Sequence, residues 1–267
     1  MILVACSSMD IASSNAASAF ISRAGLSERG IGIYGNGKIE LRIIDSILPM
    51  AQGLDDLGAE LIIFMSRHSS ASGISAFTVH PTGNWGKEAR LGGVPQTLST
   101  AAPSAMASIL RLFASSSISM ETTYEATHHG PLLRTPSLFA EFGGNEATIS
   151  DKKIAEELSR IVHDYVQGAA ESKSESNTVA LGIGGTHYPR KFTGLALSKG
   201  YAFSHIMPKH AILNADGTDN VDLLGQAVEK SSEKVEKAII DWKSINSVLR
   251  SRIIKRLSDI GVDYERV

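Results

Sequence analysis

Two adjacent histidines, His128 and His129, have the types and spacing that most directly suggest chemistry in this chain. They follow a strand-like run and come directly before Gly130 and Pro131, so a turn holds the backbone in place there. Two neutral imidazoles in this position can ligate a metal, or one can ligate while the other carries a proton. Neighbouring strand residues point to opposite faces, so only one of the two faces a site if the strand continues.

Other histidines also lie in short polar segments at predicted strand ends: His68, His80 and His187. His163 falls on a predicted helix, and we interpret it as structural or exposed. Residues just past strand ends line the ligand crevice of open α/β sheets. The distribution therefore predicts an active site at the rim of such a sheet, although any one of these histidines could instead be buried and hydrogen-bonded.

Glu125 and Glu141 are the nearest carboxylate candidates. Either could ligate a metal, orient an imidazole or act as a general base. Either could equally be a solvated surface group. We include Glu141 with His128, His129 and His187 as a predicted catalytic residue.

A glycine-rich turn follows a predicted strand, with the sequence Gly-Ile-Gly-Gly-Thr-His at residues 182–187. Glycines allow the backbone to pass close to a ligand, and Arg190 and Lys191 then add positive charge. The turn matches neither a P-loop nor a dinucleotide fingerprint. It predicts a loop that holds a phosphate or ribose and directs His187 at a reacting group; the alternative is an ordinary turn with an exposed histidine.

Three further features are candidates for substrate contacts. Arg67 and His68 follow a buried strand and suit anion binding or acid–base work. Trp85 could stack on a base, or could be a half-buried loop residue. A late helix carries a basic group that predicts either an RNA-backbone contact or a solvated face. Its members are Arg250, Arg252, Lys255 and Arg256.

Composition narrows the class of protein. The 267 residues are 43% hydrophobic and 20% charged, enough for a substantial core. A net charge of −2 argues against general nucleic-acid coating, and Cys6 as the single cysteine excludes disulfides and cysteine-rich zinc sites. The apolar start lacks a basic region, and no stretch approaches the roughly 20 apolar residues of a membrane span. We expect a soluble cytoplasmic protein with no membrane or DNA partner.

The elements that must position these residues alternate between short apolar runs and helical periods, which predicts an α/β fold. Residues 171–177 read as a loop, and from about residue 220 the pattern predicts a helical C-terminal portion. We predict a single domain, 1–267, with a mixed, mostly buried sheet flanked by helices. The predicted strands cover residues 2–5, 38–44, 61–65, 121–127, 137–142, 178–183 and 202–207, and the earlier helices cover 11–23 and begin at 103 and 150.

Taken together, five motifs resemble the archaeal and plant type of D-aminoacyl-tRNA deacylase. They are Ser-Arg-His-Ser at 66–69, His-Pro-Thr-Gly-Asn at 80–84, Thr-His-His-Gly-Pro at 127–131, Gly-Ile-Gly-Gly-Thr-His-Tyr-Pro-Arg-Lys at 182–191, and His-Ile-Met-Pro-Lys at 205–209. The match extends from the first strand to beyond residue 210, and the order of several multi-residue motifs makes it specific.

The resemblance implies a hydrolase that cleaves the ester joining a D-amino acid to the terminal adenosine of tRNA. It also implies zinc dependence and a fold similar to peptidyl-tRNA hydrolases and nucleoside phosphorylases. We expect the acceptor end of D-aminoacyl-tRNA as the partner and a monomeric enzyme.

On this basis we expect a metal to lower the pKa of an attacking water. Its expected ligands come from His80, His128, His129 and His187, with Glu141 as a further possibility. The expected substrate contacts are Arg67, His68, Trp85, Gly184, Gly185, Thr186, Tyr188, Arg190 and Lys191. Within this set, the amides of residues 184–186 would hold the oxyanion, the two cations would bind the terminal phosphates, and an aromatic ring would stack on adenine.

Three alternatives stay open at this point. The ribose 2′-hydroxyl or a histidine could activate water without a metal. The chain could be a nucleoside phosphorylase-like enzyme, or a non-catalytic module that binds tRNA ends.

Overall fold

The computed structural model describes residues 1–69, 73–169 and 177–267 of an α/β protein, so positions 171–176 of the predicted loop lie outside it. The strands are β1 (Ile2–Ser7), β2 (Ser27–Gly30), β3 (Ile33–Gly35), β4 (Ile39–Ile44), β5 (Leu61–Ser69), β6 (Ala76–His80), β7 (Gly83–Asn84), β8 (Thr97–Leu98), β9 (Glu121–Tyr124), β10 (Ser137–Gly144), β11 (Thr178–Ile183), β12 (Tyr201–Met207), β13 (Lys237–Ile240) and β14 (Asp263–Arg266). The helices are α1 (Ile11–Arg23), α2 (Pro103–Ala114), α3 (Glu146–Ser150), α4 (Lys152–Ala169), α5 (Arg190–Lys199), α6 (Leu223–Glu229) and α7 (Ser247–Asp259).

An eight-stranded mixed sheet forms the larger layer, in the order β2-β3-β4-β1-β5-β10-β6-β9. Its centre is parallel, with β1 between β4 and β5 and with β10 beside β5. The direction then reverses, because β6 is antiparallel to β10 and carries β9 parallel to itself. The predicted mixed, mostly buried sheet is therefore confirmed.

The two faces of this sheet have different roles, which follow from the two-residue alternation of a strand. On β5, Ile63 and Met65 belong to the core that α1, α2 and α4 cover. Phe64 lies on the other face and stacks on Phe139 of β10, with ring centroids 4.4 Å apart. His68 has the same parity as Phe64, so β5 delivers a histidine to the face opposite the helices.

A second sheet of four parallel strands, β12-β11-β13-β14, packs close to the first. The helix α2 contacts strands of both sheets, and Phe203 and Ile239 of the small sheet join the same core as Ile63. Between the sheets, the Ala126 amide donates to the carbonyl oxygen of His187 at 2.8 Å. This hydrogen bond therefore links the segment that follows β9 to the loop that follows β11.

The predicted helical C-terminal portion is wrong over part of its length. Val235 and Ile239 lie in that portion at a helical spacing of four residues, but Ile239 is fully buried in β13 and pairs with Gly182 of β11. A spacing of four residues fits a helical period by coincidence, whereas the β-branched pair Ile239 and Ile240 suits a central strand. The last predicted helix is confirmed as α7. It ends just before Gly261, and this glycine adopts a left-handed conformation with φ of 68°.

Among the helices of the described residues, none combines the length and apolar character that crossing a bilayer requires.

Candidate functional site

Histidines and carboxylates from distant parts of the chain gather at one cavity of about 470 Å³. Its polar wall is formed by His68, Glu125, His128, His129, Glu141 and His187. His80 lies directly behind this wall and is fully buried. The expected meeting of these imidazoles is thus present in the structure.

The site lies on a sheet face and not only at the rim that we predicted. Glu141 is in the middle of β10, where it pairs with Ser66 of β5 and Thr78 of β6. His68 lies within β5, and His80 is the last residue of β6. Strand alternation gives these three side chains the same face, so the sheet supplies the floor of the site.

The predicted strand through residue 127 ends earlier, at Tyr124, so His128 and His129 do not point to opposite faces. His129 adopts a left-handed conformation with φ of 42°. Both rings lie beside the ring of His80, with centroids 4.2 Å away for His128 and 4.9 Å for His129. Gly130 is required next, because an added Cβ would lie 2.3 Å from the Gly93 nitrogen.

Backbone carbonyls set the tautomers of the three clustered histidines. The Nδ1 atoms of His80, His128 and His129 lie 3.2, 2.8 and 2.6 Å from the carbonyl oxygens of Pro81, Ala126 and Gly130 respectively. A carbonyl oxygen only accepts, so each Nδ1 carries the hydrogen and each Nε2 has a lone pair.

The same three imidazoles are held neutral. Burial lowers the pKa of His80 to about 4 and that of His129 to about 3, and it lowers the pKa of His128 well below its ordinary value. The neighbouring imidazoles lower these values further. Neutral histidines are the form that ligates metals.

Glu125 is the centre of the hydrogen bonding in the site. Its Oε2 lies 2.8 Å from Nε2 of His187, and its Oε1 lies 2.8 Å from Nδ1 of His68. Nε2 of His128 is 3.6 Å from the same Oε2. Burial alone would raise the pKa of Glu125, but the bonds from the two histidines outweigh it and lower the pKa well below normal. Glu125 is therefore a buried anion.

Glu141 has the opposite character. Burial and the nearby Glu125 anion raise the pKa of Glu141 to about 8. Its Oε2 lies 3.8 Å from Nε2 of His80 and 4.0 Å from Nδ1 of His68. For His68, burial lowers the pKa, but the bond to Glu125 and its charge raise it above normal. Two neighbouring carboxyl groups thus have pKa values displaced in opposite directions, an arrangement typical of functional sites.

The donor set can hold a metal ion. The ligand atoms of His80, His128 and His129 lie within 4.8 Å of one another, and Nε2 of His80 is buried with no hydrogen-bond partner among the described residues. Nitrogen ligands whose second nitrogen donates to a carbonyl are typical of zinc sites. Two further groups have ligand atoms equally close together; one shares His128 with the first group, and the two share Glu125 with each other. They are Glu125 with His128 and His187, and His68 with Glu125 and Glu141.

A larger cavity of about 620 Å³ lies on the other side of His68. His68 lines both cavities, and its ring meets that of Tyr188, which lines the larger one, edge to face at 5.6 Å. The larger cavity contains Gly185, Thr186, Arg190 and Lys191 of the predicted substrate loop. Arg190 forms an ion pair with Glu121 at 3.5 Å, and Lys191 forms one with Asp241 at 2.6 Å.

Three of the predicted contact residues, Gly184, Gly185 and Trp85, are not available for those contacts in this structure. The amide of Gly184 donates to Met207 and that of Gly185 donates to Ser244, so neither is free to hold an oxyanion. Trp85 is 3% exposed and packs in the core of the small sheet, so its indole does not stack on a base. Distant residues therefore accept the hydrogen bonds of the two glycine amides and cover the Trp85 ring.

The basic helix and two of the three remaining histidines have structural explanations. Arg250 lies 4.5 Å from the centre of the Trp242 ring, and the other cations form ion pairs with acidic neighbours. These observations favour the solvated-face interpretation over an RNA contact. His205 is fully buried and bonds to the carbonyl oxygens of Ser99 and Lys230, while His163 packs edge to face on Phe20.

The central role of Glu125 was missed in the sequence. Glu125 is named there as one of two carboxylate candidates, but only Glu141 is included among the predicted catalytic residues. The signal that could have identified Glu125 is the two-residue alternation of strands. Thr123 pairs with Thr78, so Glu125, two residues further on, lies level with His80 on the same face. That signal becomes usable only when the register between β6 and β9 is known.

Known proteins resemble this chain closely. The family model described as D-aminoacyl-tRNA deacylase matches residues 56–265. A D-aminoacyl-tRNA deacylase from Ignicoccus hospitalis is 40% identical over 210 residues, which cover 78% of this chain and 82% of that protein. One from Pyrococcus furiosus is 37% identical, with coverage of 77% and 73%.

The fold also has a solved counterpart. A crystal structure of a conserved protein of unknown function superposes with a TM-score of 0.89 at 31% identity, covering all of this chain and 95% of that one. The predicted α/β fold is therefore confirmed, while the expected similarity to phosphorylases and peptidyl-tRNA hydrolases stays a prediction. The matched span and the identity over most of each relative show that this chain belongs to the D-aminoacyl-tRNA deacylase family.

Proposed function

We propose that this enzyme hydrolyses the ester of D-aminoacyl-tRNA with a water that the Glu125–His187 pair activates. The observation that carries the proposal is the buried Glu125 anion bonded to His187 at 2.8 Å, in the wall of a cavity large enough for an aminoacyl ester. The names of the relatives support the reaction class, because they are D-aminoacyl-tRNA deacylases of similar length.

His187 acts as the general base through Nδ1. A carboxylate only accepts hydrogen bonds, so Nε2 of His187 carries the hydrogen that Glu125 receives and Nδ1 has the lone pair. The side chain of His187 is 32% exposed, which allows Nδ1 to meet a water in the cavity. When Nδ1 takes the proton from the attacking water, the Glu125 anion stabilises the resulting imidazolium.

A zinc ion would be held by His80, His128 and His129, because the Nδ1 contacts of these three side chains leave Nε2 free. Zinc bound there would lower the pKa of a nearby water and polarise the ester carbonyl. His187 is left out of this ligand set, although the sequence suggested it, because the general-base role given to it uses the lone pair of Nδ1, the nitrogen that is not bonded to Glu125. Glu141 closes the site beside His80 as a carboxyl group with a raised pKa.

The acceptor end of tRNA occupies the 620 Å³ cavity, with the aminoacyl group extending past His68 into the smaller one. Arg190 is 82% exposed and Lys191 is 45% exposed, so both can turn from their acidic partners towards phosphates. A monomeric state and a cytoplasmic location stay predictions.

A deacylation assay with matched D- and L-aminoacyl-tRNA tests this function. We expect release of the D-amino acid from D-tyrosyl-tRNA and little release from L-tyrosyl-tRNA. The variant His187→Gln should lose the activity, because glutamine has no basic nitrogen. Equal rates on both stereoisomers, or full activity in His187→Gln, would contradict the proposal.

A further inference from the structure

Three large apolar side chains are exposed at the rim of the 470 Å³ cavity. Met9 is 66% exposed, Ile47 is 42% exposed and Leu91 is 53% exposed, and all three line the cavity. They come from separate loops, after β1, after β4 and between β7 and β8. Single exposed apolar side chains are common, but a group of them around a concave site typically marks a binding surface.

Hydrogen bonds anchor the backbone of each of these loops. The Met9 amide donates to Oγ of Ser7 at 3.0 Å. The carbonyl oxygen of Ile47 accepts from the Met50 amide at 3.0 Å, and that of Leu91 accepts from the Gly130 amide at 2.8 Å. The apolar rim is therefore held in position before any ligand arrives, which reduces the ordering cost of binding.

The cavity has two unlike walls. His68, Glu125 and His187 form one wall, where an ester would react, and the apolar rim forms another. Asp10 also lines the cavity, and its carboxylate accepts from the amides of Ala12 and Arg67 at 3.0 Å each. This fixed anion suits the ammonium group of an aminoacyl ester.

We propose that Met9, Ile47 and Leu91 form the pocket for the amino-acid side chain, so that the enzyme prefers D-residues with large apolar side chains. This inference rests on the proposed deacylase function. Asp10, Glu125 and the apolar rim all disfavour an acidic side chain, whereas Arg67 is the cation that lines the same cavity. D-aspartyl-tRNA is therefore the substrate that distinguishes an apolar pocket from one governed by Arg67.

The test compares D-phenylalanyl-, D-alanyl- and D-aspartyl-tRNA as substrates of the wild type, Ile47→Ser, Leu91→Ser and Ile47→Lys. Each serine variant should lower kcat/KM for D-phenylalanyl-tRNA by about tenfold, because one apolar wall contact is lost. Its kcat/KM for D-alanyl-tRNA should stay within about twofold, because a methyl group does not reach the rim. Ile47→Lys should raise the ratio of D-aspartyl to D-phenylalanyl activity.

Ile31→Ser is the matched control, because Ile31 is fully exposed between β2 and β3 and lies outside the cavity. It should leave all three rates unchanged. Equal losses on the phenylalanyl and alanyl substrates, no loss on either, or a wild-type preference for D-aspartyl-tRNA would overturn the inference while leaving the deacylase function in place. A wild type that releases none of the three D-amino acids would overturn both.

Discussion

Replacing Glu125 with glutamine removes the charge at the centre of the site while keeping the shape of the side chain. The carboxylate accepts from His187 and contacts His68, each at 2.8 Å. Glutamine has one acceptor oxygen, and its NH₂ group cannot accept, so at least one imidazole loses its partner. A hydrogen bond to a charged group contributes about 1.5–3 kcal/mol. Loss of one interaction in the transition state therefore lowers kcat/KM at least about tenfold, and loss of both lowers it by up to about 10⁴.

The assay is single-turnover deacylation of D-tyrosyl-tRNA, run beside a thermal melt. Glu157→Gln is the matched control. Glu157 lies on α4, on the helix-covered side of the sheet and away from the site, and it accepts hydrogen bonds from Arg160 and Ser116. We expect Glu125→Gln to lose activity and remain folded, and Glu157→Gln to keep full activity. A rate for Glu125→Gln within about threefold of the wild type would refute the role given to Glu125.

Three further predictions concern metal, thiol chemistry and pH. Purified protein should contain zinc by atomic emission, and His80→Ala should lower the zinc bound per chain; chelator-resistant activity in a metal-stripped sample would contradict the zinc assignment. Cys6 is fully buried, and burial raises the pKa of its thiol to about 12, so thiol reagents should label it only after unfolding; rapid labelling of folded protein would contradict this expectation. Burial lowers the pKa of His205 to about 4, below its unfolded value. The stability that neutral His205 contributes is therefore complete above about pH 6.5. It decreases as pH falls towards 4, and the free energy of unfolding then drops by at most about 3 kcal/mol. Urea unfolding of the wild type and His205→Gln should show a shallower acid dependence in the variant, and parallel curves would contradict the assignment.

Local patterns in the sequence were enough to locate most of the elements. The helix predicted at residues 11–23 is α1 to the residue, and Pro103 begins α2 as expected from its place in a first helical turn. The continuously apolar run from Leu61 predicted a buried central strand, which is β5. These features depend on backbone preferences and on periods of two or 3.6 residues, which neighbouring residues set by themselves.

Local patterns failed where a distant segment decides the outcome. Ile239 fitted a helical period, but it is in a strand because β11 and β14 lie on either side of it. Trp85 looked like a loop aromatic, yet it is buried by residues from the small sheet. Gly184 seemed to offer a free amide, which the backbone of Met207 takes up.

The sequence alone determined the chemistry available to this protein: histidines and carboxylates in ordered motifs, a single cysteine, and a family resemblance that the matched relatives confirm. Only the tertiary structure decided which of these groups act together. It joined His68 of β5 to Glu125, which follows β9, although these two strands are not neighbours, and it turned His128 and His129 towards His80. Register between distant strands and burial by distant segments are properties of the packed chain, because no short stretch of residues specifies them.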